Sequence, residues 1–132
     1  MTKETNTKKV GHLSVMKFVT RCLERGWSIS LPLGDCDRYD CVLDRNGKLD
    51  RVQVKTGQLV NGSIMFLTST MYKGKRRSYK GDVEVFGVFC PSVGKSYLIP
   101  IEEVPACEAS LRVGKPKNNQ EKDIRYAKNY EI

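Results

Sequence analysis

The chain has 132 residues, of which 39% are hydrophobic and 29% charged, the composition of one ordinary globular domain rather than a disordered or fibrous segment. No apolar run approaches the roughly 18 residues that a membrane span requires. The polar start Met1–Lys9 lacks the apolar stretch of a secretory signal, so an intracellular setting, cytoplasmic or organellar stroma or matrix, is expected. A net charge of +8 favours a polyanionic partner, nucleic acid being the commonest, against the plainer reading of a soluble basic surface.

Residues 1–9 are polar and expected to fray. From Leu13 to about Arg25 the apolar positions Leu13, Met16, Val19 and Leu23 recur at helical spacing. Val15, Phe18 and Cys22 widen that stripe, so the helix should pack on more than one side. Gly26 is a natural stop. Trp27 to Leu33 reads as a short strand closed by Pro32 and Gly34, followed by the loop Gly34–Arg38. Then comes a hairpin around Asn46-Gly47, the strongest short-range signal for a type I′ turn. A second Asn-Gly, at 61–62, divides Gln58-Leu59-Val60 from Ser63–Thr68. The basic tract 73–80 should form a loop or ribbon tip. Val83 to Cys90 reads as a buried strand and Tyr97 to Ile101 as another, ended by proline. Asn118 or Asn119 should cap a last helix through Ile124 and Tyr126. A helix, a run of strands and a late helix make an α+β or α/β domain with a mixed central sheet. Five cysteines, odd in number and without C-x-x-C spacing, indicate reduced thiols rather than disulfides or a zinc site. Cys41 and Cys90 fit as small core residues.

The first hairpin concentrates the chemistry. In the register of a two-residue turn, Asp40 lies directly opposite Gln53, with Lys55 two residues further on the same face. A carboxylate, an amide oxygen and an ammonium at one end of a hairpin can build a metal-dependent phosphodiester site. Each has a plainer reading: Asp40 holding a turn, Gln53 as a core amide, Lys55 snorkelling from a sheet edge. Together with Arg38 nearby, the trio suits a phosphate better. Asp35, Asp37 and Asp44 sit in loops and turns, where aspartate serves the backbone, and Glu84 reads as structural. Two basic clusters suit nucleic acid: Lys73, Lys75, Arg76, Arg77 and Lys80 with Tyr79, and Lys115, Lys117, Lys122 and Arg125 with Asn118, Asn119 and Gln120. Lys and Arg serve phosphates, and Asn and Gln can read base edges. Tyr79 either touches DNA or packs beside the site.

The stretches Arg38-Tyr39-Asp40, Arg51-Val52-Gln53-Val54-Lys55-Thr56-Gly57, Ser78-Tyr79-Lys80-Gly81, Tyr97–Pro105 and Pro116–Gln120 together resemble the PD-(D/E)xK nucleases. Within that superfamily the chain looks like the group I intron-encoded homing endonucleases, which carry Gln in the central motif. The resemblance implies one nuclease domain over 1–132 with a restriction-endonuclease-like core, a mixed central β-sheet flanked by helices. It implies a site-specific, double-strand DNA endonuclease working as a homodimer or a dimer of dimers. Asp40, Gln53 and Lys55 would be catalytic. Asp40, Gln53 and the Val54 carbonyl would hold Mg²⁺ or Mn²⁺, a hard ion that keeps several waters. Arg38, Tyr79 and the two basic clusters would bind DNA. Relatives place a glutamate in the first helix where this chain has Val15. That departure opens a second reading, a DNA-binding protein with weakened or lost catalysis, unless His12 substitutes. A structure-specific nuclease such as a junction resolvase is a third.

Overall fold

The computed structural model describes residues 3–115 and 123–132. The chain opens with α1, Lys3–Glu24, which begins well before its apolar pattern does. Residues 6–10 are exposed there, a solvated extension of the packed part of the helix. Gly26 ends it with a positive φ of 82°, the Gly26 N–H returning to the Leu23 carbonyl and the Trp27 N–H to Cys22, so the last carbonyls are satisfied.

Most of the strands follow the expected punctuation. The central sheet has the order β1-β2-β3-β8-β9, from β1 Ser28–Ser30, β2 Cys41–Arg45, β3 Lys48–Thr56, β8 Val85–Cys90 and β9 Lys95–Pro100. Only β3 and β8 run parallel, with Val52 beside Val85 through Thr56 beside Phe89. Every residue of β8 is buried, as befits a strand covered on both faces. Both Asn-Gly turns have positive φ at both residues, 56° and 90° at Asn46-Gly47 and 50° and 78° at Asn61-Gly62, the geometry that matches strand twist. A second sheet of three strands, β10-β5-β4, combines β4 Gln58–Val60, β5 Ser63–Leu67 and β10 Glu108–Arg112. β6 Ser69–Tyr72 and β7 Lys75–Ser78 form a separate two-stranded ribbon.

The core has two layers. On one face of the central sheet, Phe18 and Cys22 of α1 meet Cys41, Leu43, Val52, Val54, Val85 and Leu98. On the other, Phe86, Val88 and Ile99 meet Ile64, Phe66, Ala109 and Leu111 of the second sheet. Among the described residues α1 is the only α-helix, so one face carries a helix and the other carries strands. The helix also sits rotated from its expected stripe. Ser14, Phe18 and Cys22 are its buried line, whereas Leu13, Met16 and Leu23 are exposed. The reason lies across the interface: Gly87 leaves a notch for the Phe18 ring, and a Cβ there would come within 2.6 Å of it.

Two further expectations are corrected. The strand expected over Trp27–Leu33 narrows to Ser28–Ser30, because only these residues reach β2. The late helix does not run through Ile124 and Tyr126; Tyr126 bridges to Arg112 and a single 3-10 turn, Ala127–Asn129, follows. Its expected caps, Asn118 and Asn119, lie outside the described residues. β10 carries no turn signal at its start and adds a strand to those expected, with Ala109 and Leu111 alternating inward at period two.

Gly87→Ala should destabilise the fold by about 2 kcal/mol in urea titration, since the Phe18 ring has no space to yield. Burial pushes the Cys22 and Cys41 thiols up to about 11 and about 12. Mass spectrometry after brief native alkylation at neutral pH should therefore show modification at the exposed Cys36 and Cys107, with Cys22 and Cys41 modified only after unfolding.

Candidate active site

Strand β3 has two chemically different faces. Val52 and Val54 point toward α1, so Arg51, Gln53 and Lys55 point to the opposite side. The backbone alternates too. Asp50 and Val52 turn their amides to β2, while Arg51 turns to the β8 side, where its carbonyl accepts from Glu84. Val54 therefore turns toward β2, but β2 begins at Cys41, opposite Val52. Past that point the edge of β3 is open.

Asp40 fills part of this opening. Its N–H donates to the Val52 carbonyl at 2.8 Å, and its Oδ2 accepts the Val54 N–H at 2.8 Å. The expected hairpin register holds from Cys41 to Arg45 but not at Asp40, which engages Val52 and Val54 rather than standing opposite Gln53. The carboxylate thus replaces a missing strand partner. Burial raises its pKa, and the Val54 hydrogen bond and the nearby Lys55 and His12 charges oppose that rise. A half-buried carboxylate kept by a single N–H retains unused oxygen lone pairs.

Lys55 donates from Nζ to the Tyr79 hydroxyl at 3.0 Å. Tyr79 is 3% exposed, so its expected role as a DNA contact is corrected: of the two readings open to it, packing beside the site is the one the fold adopts. Arg38 holds the base of the ribbon: its guanidinium donates to the Ser78 carbonyl, Asp82 and Thr70 at 2.5, 2.6 and 2.8 Å. Glu84 is structural as expected, bridging β3 to β8 by pairing with the Arg51 side chain and accepting the Arg51 N–H.

The first basic cluster is laid out on the ribbon. Lys73, Lys75, Arg76 and Arg77 are all exposed, Lys73 and Gly74 forming its positive-φ tip. Lys80 is exposed beyond β7 and lines a cleft of about 450 Å³ with Ser78 and Phe86. The second cluster is less uniform. Lys115 is exposed, while Arg125 is half-buried and donates from Nε to the Glu103 carbonyl at 2.5 Å. Lys117, Asn118, Asn119, Gln120 and Lys122 lie outside the described residues.

Val15 is half-buried and packs on the apolar layer beneath α1, beside Ser14, whose hydroxyl meets Thr56 at 2.6 Å. The helix therefore offers the sheet a methyl-lined surface there. Among the described residues no group of three or more His, Cys, Asp or Glu side chains could hold a metal ion. Two oxygens at the open edge nevertheless suit a hard cation: the Asp40 carboxylate and the Val54 carbonyl, whose N–H meets that carboxylate at 2.8 Å. Such a set is sufficient only for an ion that keeps several waters.

The match that defines the class spans almost the whole chain. The chain belongs to the PD-(D/E)XK endonuclease family, whose pattern covers residues 5–132. Its fold is similar to that of a bacterial homing endonuclease, I-Ssp6803I, with a TM-score of 0.77 over 95% of this chain and 88% of that one, at 22% identity. No curated protein sequence matches.

The raised Asp40 pKa has a thermodynamic consequence. Below its unfolded pKa the carboxyl is protonated in both states and costs nothing; as pH rises through the folded pKa, stability is lost because the charged form is disfavoured in the fold. Asp40→Asn should therefore raise the metal-free melting temperature at neutral pH relative to the native chain, with the difference disappearing in acid. Calorimetry across pH checks this.

Proposed function

We propose that this endonuclease is a site-specific, double-strand DNA endonuclease of homing type with a D…QxK site formed by Asp40, Gln53 and Lys55. The observation that carries the reading is the open edge of β3, where Asp40 replaces the strand partner of Val54 and Lys55 lies close by. Asp40, the Val54 carbonyl and Gln53 would hold magnesium or manganese, which would neutralise charge on the scissile phosphate and acidify a bound water. The Lys55 ammonium stabilises charge developing on the phosphate or orients the attacking water. Gln53 contributes an oxygen without a second negative charge, so the site holds a metal less tightly than a two-acid site does.

The ribbon, with Lys73, Lys75, Arg76 and Arg77, supplies the DNA-facing element, and a two-stranded ribbon fits the major groove of B-DNA. Lys80, Lys115, Lys117, Asn118, Asn119, Gln120 and Lys122 would add further contacts to phosphates and base edges. A small module covers only about 600–1,000 Å² of a duplex. Cutting both strands of a long, near-symmetric target therefore calls for a homodimer or a dimer of dimers. The residence of the gene in a group I intron belongs to the same proposal.

Val15 supports a second reading, a family member whose catalysis is weakened or lost while DNA binding persists. One experiment separates the two: supercoiled DNA carrying the uninterrupted target gene, with Mg²⁺ or Mn²⁺, comparing the native chain with Lys55→Ala. Cleavage at a fixed site, reduced at least about 100-fold in Lys55→Ala, supports the endonuclease. Tight binding with no cleavage by the native chain selects the weakened form. Cleavage of a four-way junction in preference to the duplex selects a resolvase instead. Val15→Glu should raise the cleavage rate if this position faces the metal.

A further inference from the structure

Lysine is a flexible four-carbon stem carrying a compact charge, and a group that must act on one phosphate needs to be held. Among the described residues Lys55 forms no ion pair; its side-chain hydrogen-bond partner is Tyr79. The Tyr79 ring is fixed on several sides. It packs edge-on against Phe86, with centroids 5.6 Å apart and planes at 89°. The Lys55 Nζ lies 4.7 Å from its centroid and the Arg38 guanidinium 4.1 Å. Two cations share one buried ring, and Asp82 neutralises one of them through its 2.6 Å contact with Arg38.

Arg38 also determines where the ring stands. It sits two residues before Asp40 and binds both ends of the ribbon base, Thr70 in β6 and the Ser78 carbonyl at the end of β7. Tyr79 is the residue after Ser78. The Asp40 loop, the ribbon base and the Lys55 ammonium therefore meet at one aromatic ring. A ring that served only to fill the core would need no hydroxyl here, and phenylalanine would pack against Phe86 as well.

We propose that Tyr79 is a positioning residue: its phenol oxygen and ring face hold the Lys55 ammonium beside Asp40 and, through Arg38, tie that ammonium to the β6–β7 ribbon. The catalytic consequence rests on the endonuclease reading above, whereas the restraint on Lys55 does not. The ribbon that grips DNA and the lysine that meets the scissile phosphate then move as one body, so that a duplex seated on the ribbon places its phosphate against an ammonium already aimed.

The test uses the full chain and reads two independent quantities. In lysine-¹⁵N NMR of the native protein, the Lys55 ammonium should give a motionally restricted signal, and Tyr79→Phe, which keeps the ring and loses the acceptor, should abolish that restriction. In single-turnover cleavage Tyr79→Phe should slow the reaction about tenfold, the loss expected for one hydrogen bond to a charged group, with DNA affinity within about twofold of native. Arg38→Gln, which loosens the ribbon but keeps the phenol, should instead raise KM more than it lowers kcat. An ammonium equally restricted in Tyr79→Phe, or cleavage unaffected by that substitution, would overturn the proposal. If the native chain cuts no DNA, the endonuclease reading fails, and the NMR comparison alone still decides whether Tyr79 restrains Lys55.

Discussion

On one side of β3 the ladder ends at Val52, and the next amide turned to that side, Val54, has no strand to meet. A buried N–H without an acceptor is costly, and Asp40 removes that cost by turning its carboxylate onto it at 2.8 Å. The rest of the site depends on this substitution. A longer β2 would have closed the edge with backbone and left no room for a charged group. A shorter one would have taken Asp40 out of reach. The same gap leaves the Val54 carbonyl beside the carboxylate, so a break in the sheet becomes a pair of oxygens that can face a cation.

The price of the arrangement is visible in Asp40, whose burial favours the neutral form while its neighbours favour the charged one. Shifted carboxyl pKa values are common at reactive sites, and here the Val54 hydrogen bond and the Lys55 and His12 charges oppose the rise that burial causes. In a family member with a glutamate on the first helix, that helix would complete the site across the core. Here α1 brings Val15 to the apolar layer instead, and its rotation is fixed by the seating of Phe18 in the Gly87 notch. The helix is consequently a packing element first.

Much of this is legible along the chain because it is local. Asn46-Gly47 and Asn61-Gly62 favour positive φ at both residues, and that preference alone places two hairpins and the register from Cys41 to Arg45. Asp40, Gln53 and Lys55 stand out since their spacing follows from the turn. Sequence and structure part where the deciding partner is distant. Leu13, Met16 and Leu23 look like a core stripe by period, yet the notch at Gly87, far along the chain, selects Phe18 and its neighbours. Arg38, Tyr79 and Arg125 look like free contacts for DNA because Arg and Tyr often are, and only the fold shows each already engaged with protein groups. β10 escapes a reading by pattern because a short alternation with no turn before it is a weak signal.

The sequence by itself determined the class of the domain, its two Asn-Gly hairpins, a basic tract between short strands and the family pattern that runs from residue 5 to residue 132. These follow from residue type and short spacing, which the chain carries without folding. Only the tertiary structure decided that β2 ends before it reaches Val54, that Asp40 fills the gap, and that Tyr79 lies between Lys55 and Arg38. Those are relations between segments far apart along the chain, as Arg38 is from Tyr79, and they exist because packing on both faces of the central sheet brings their backbones to one open edge.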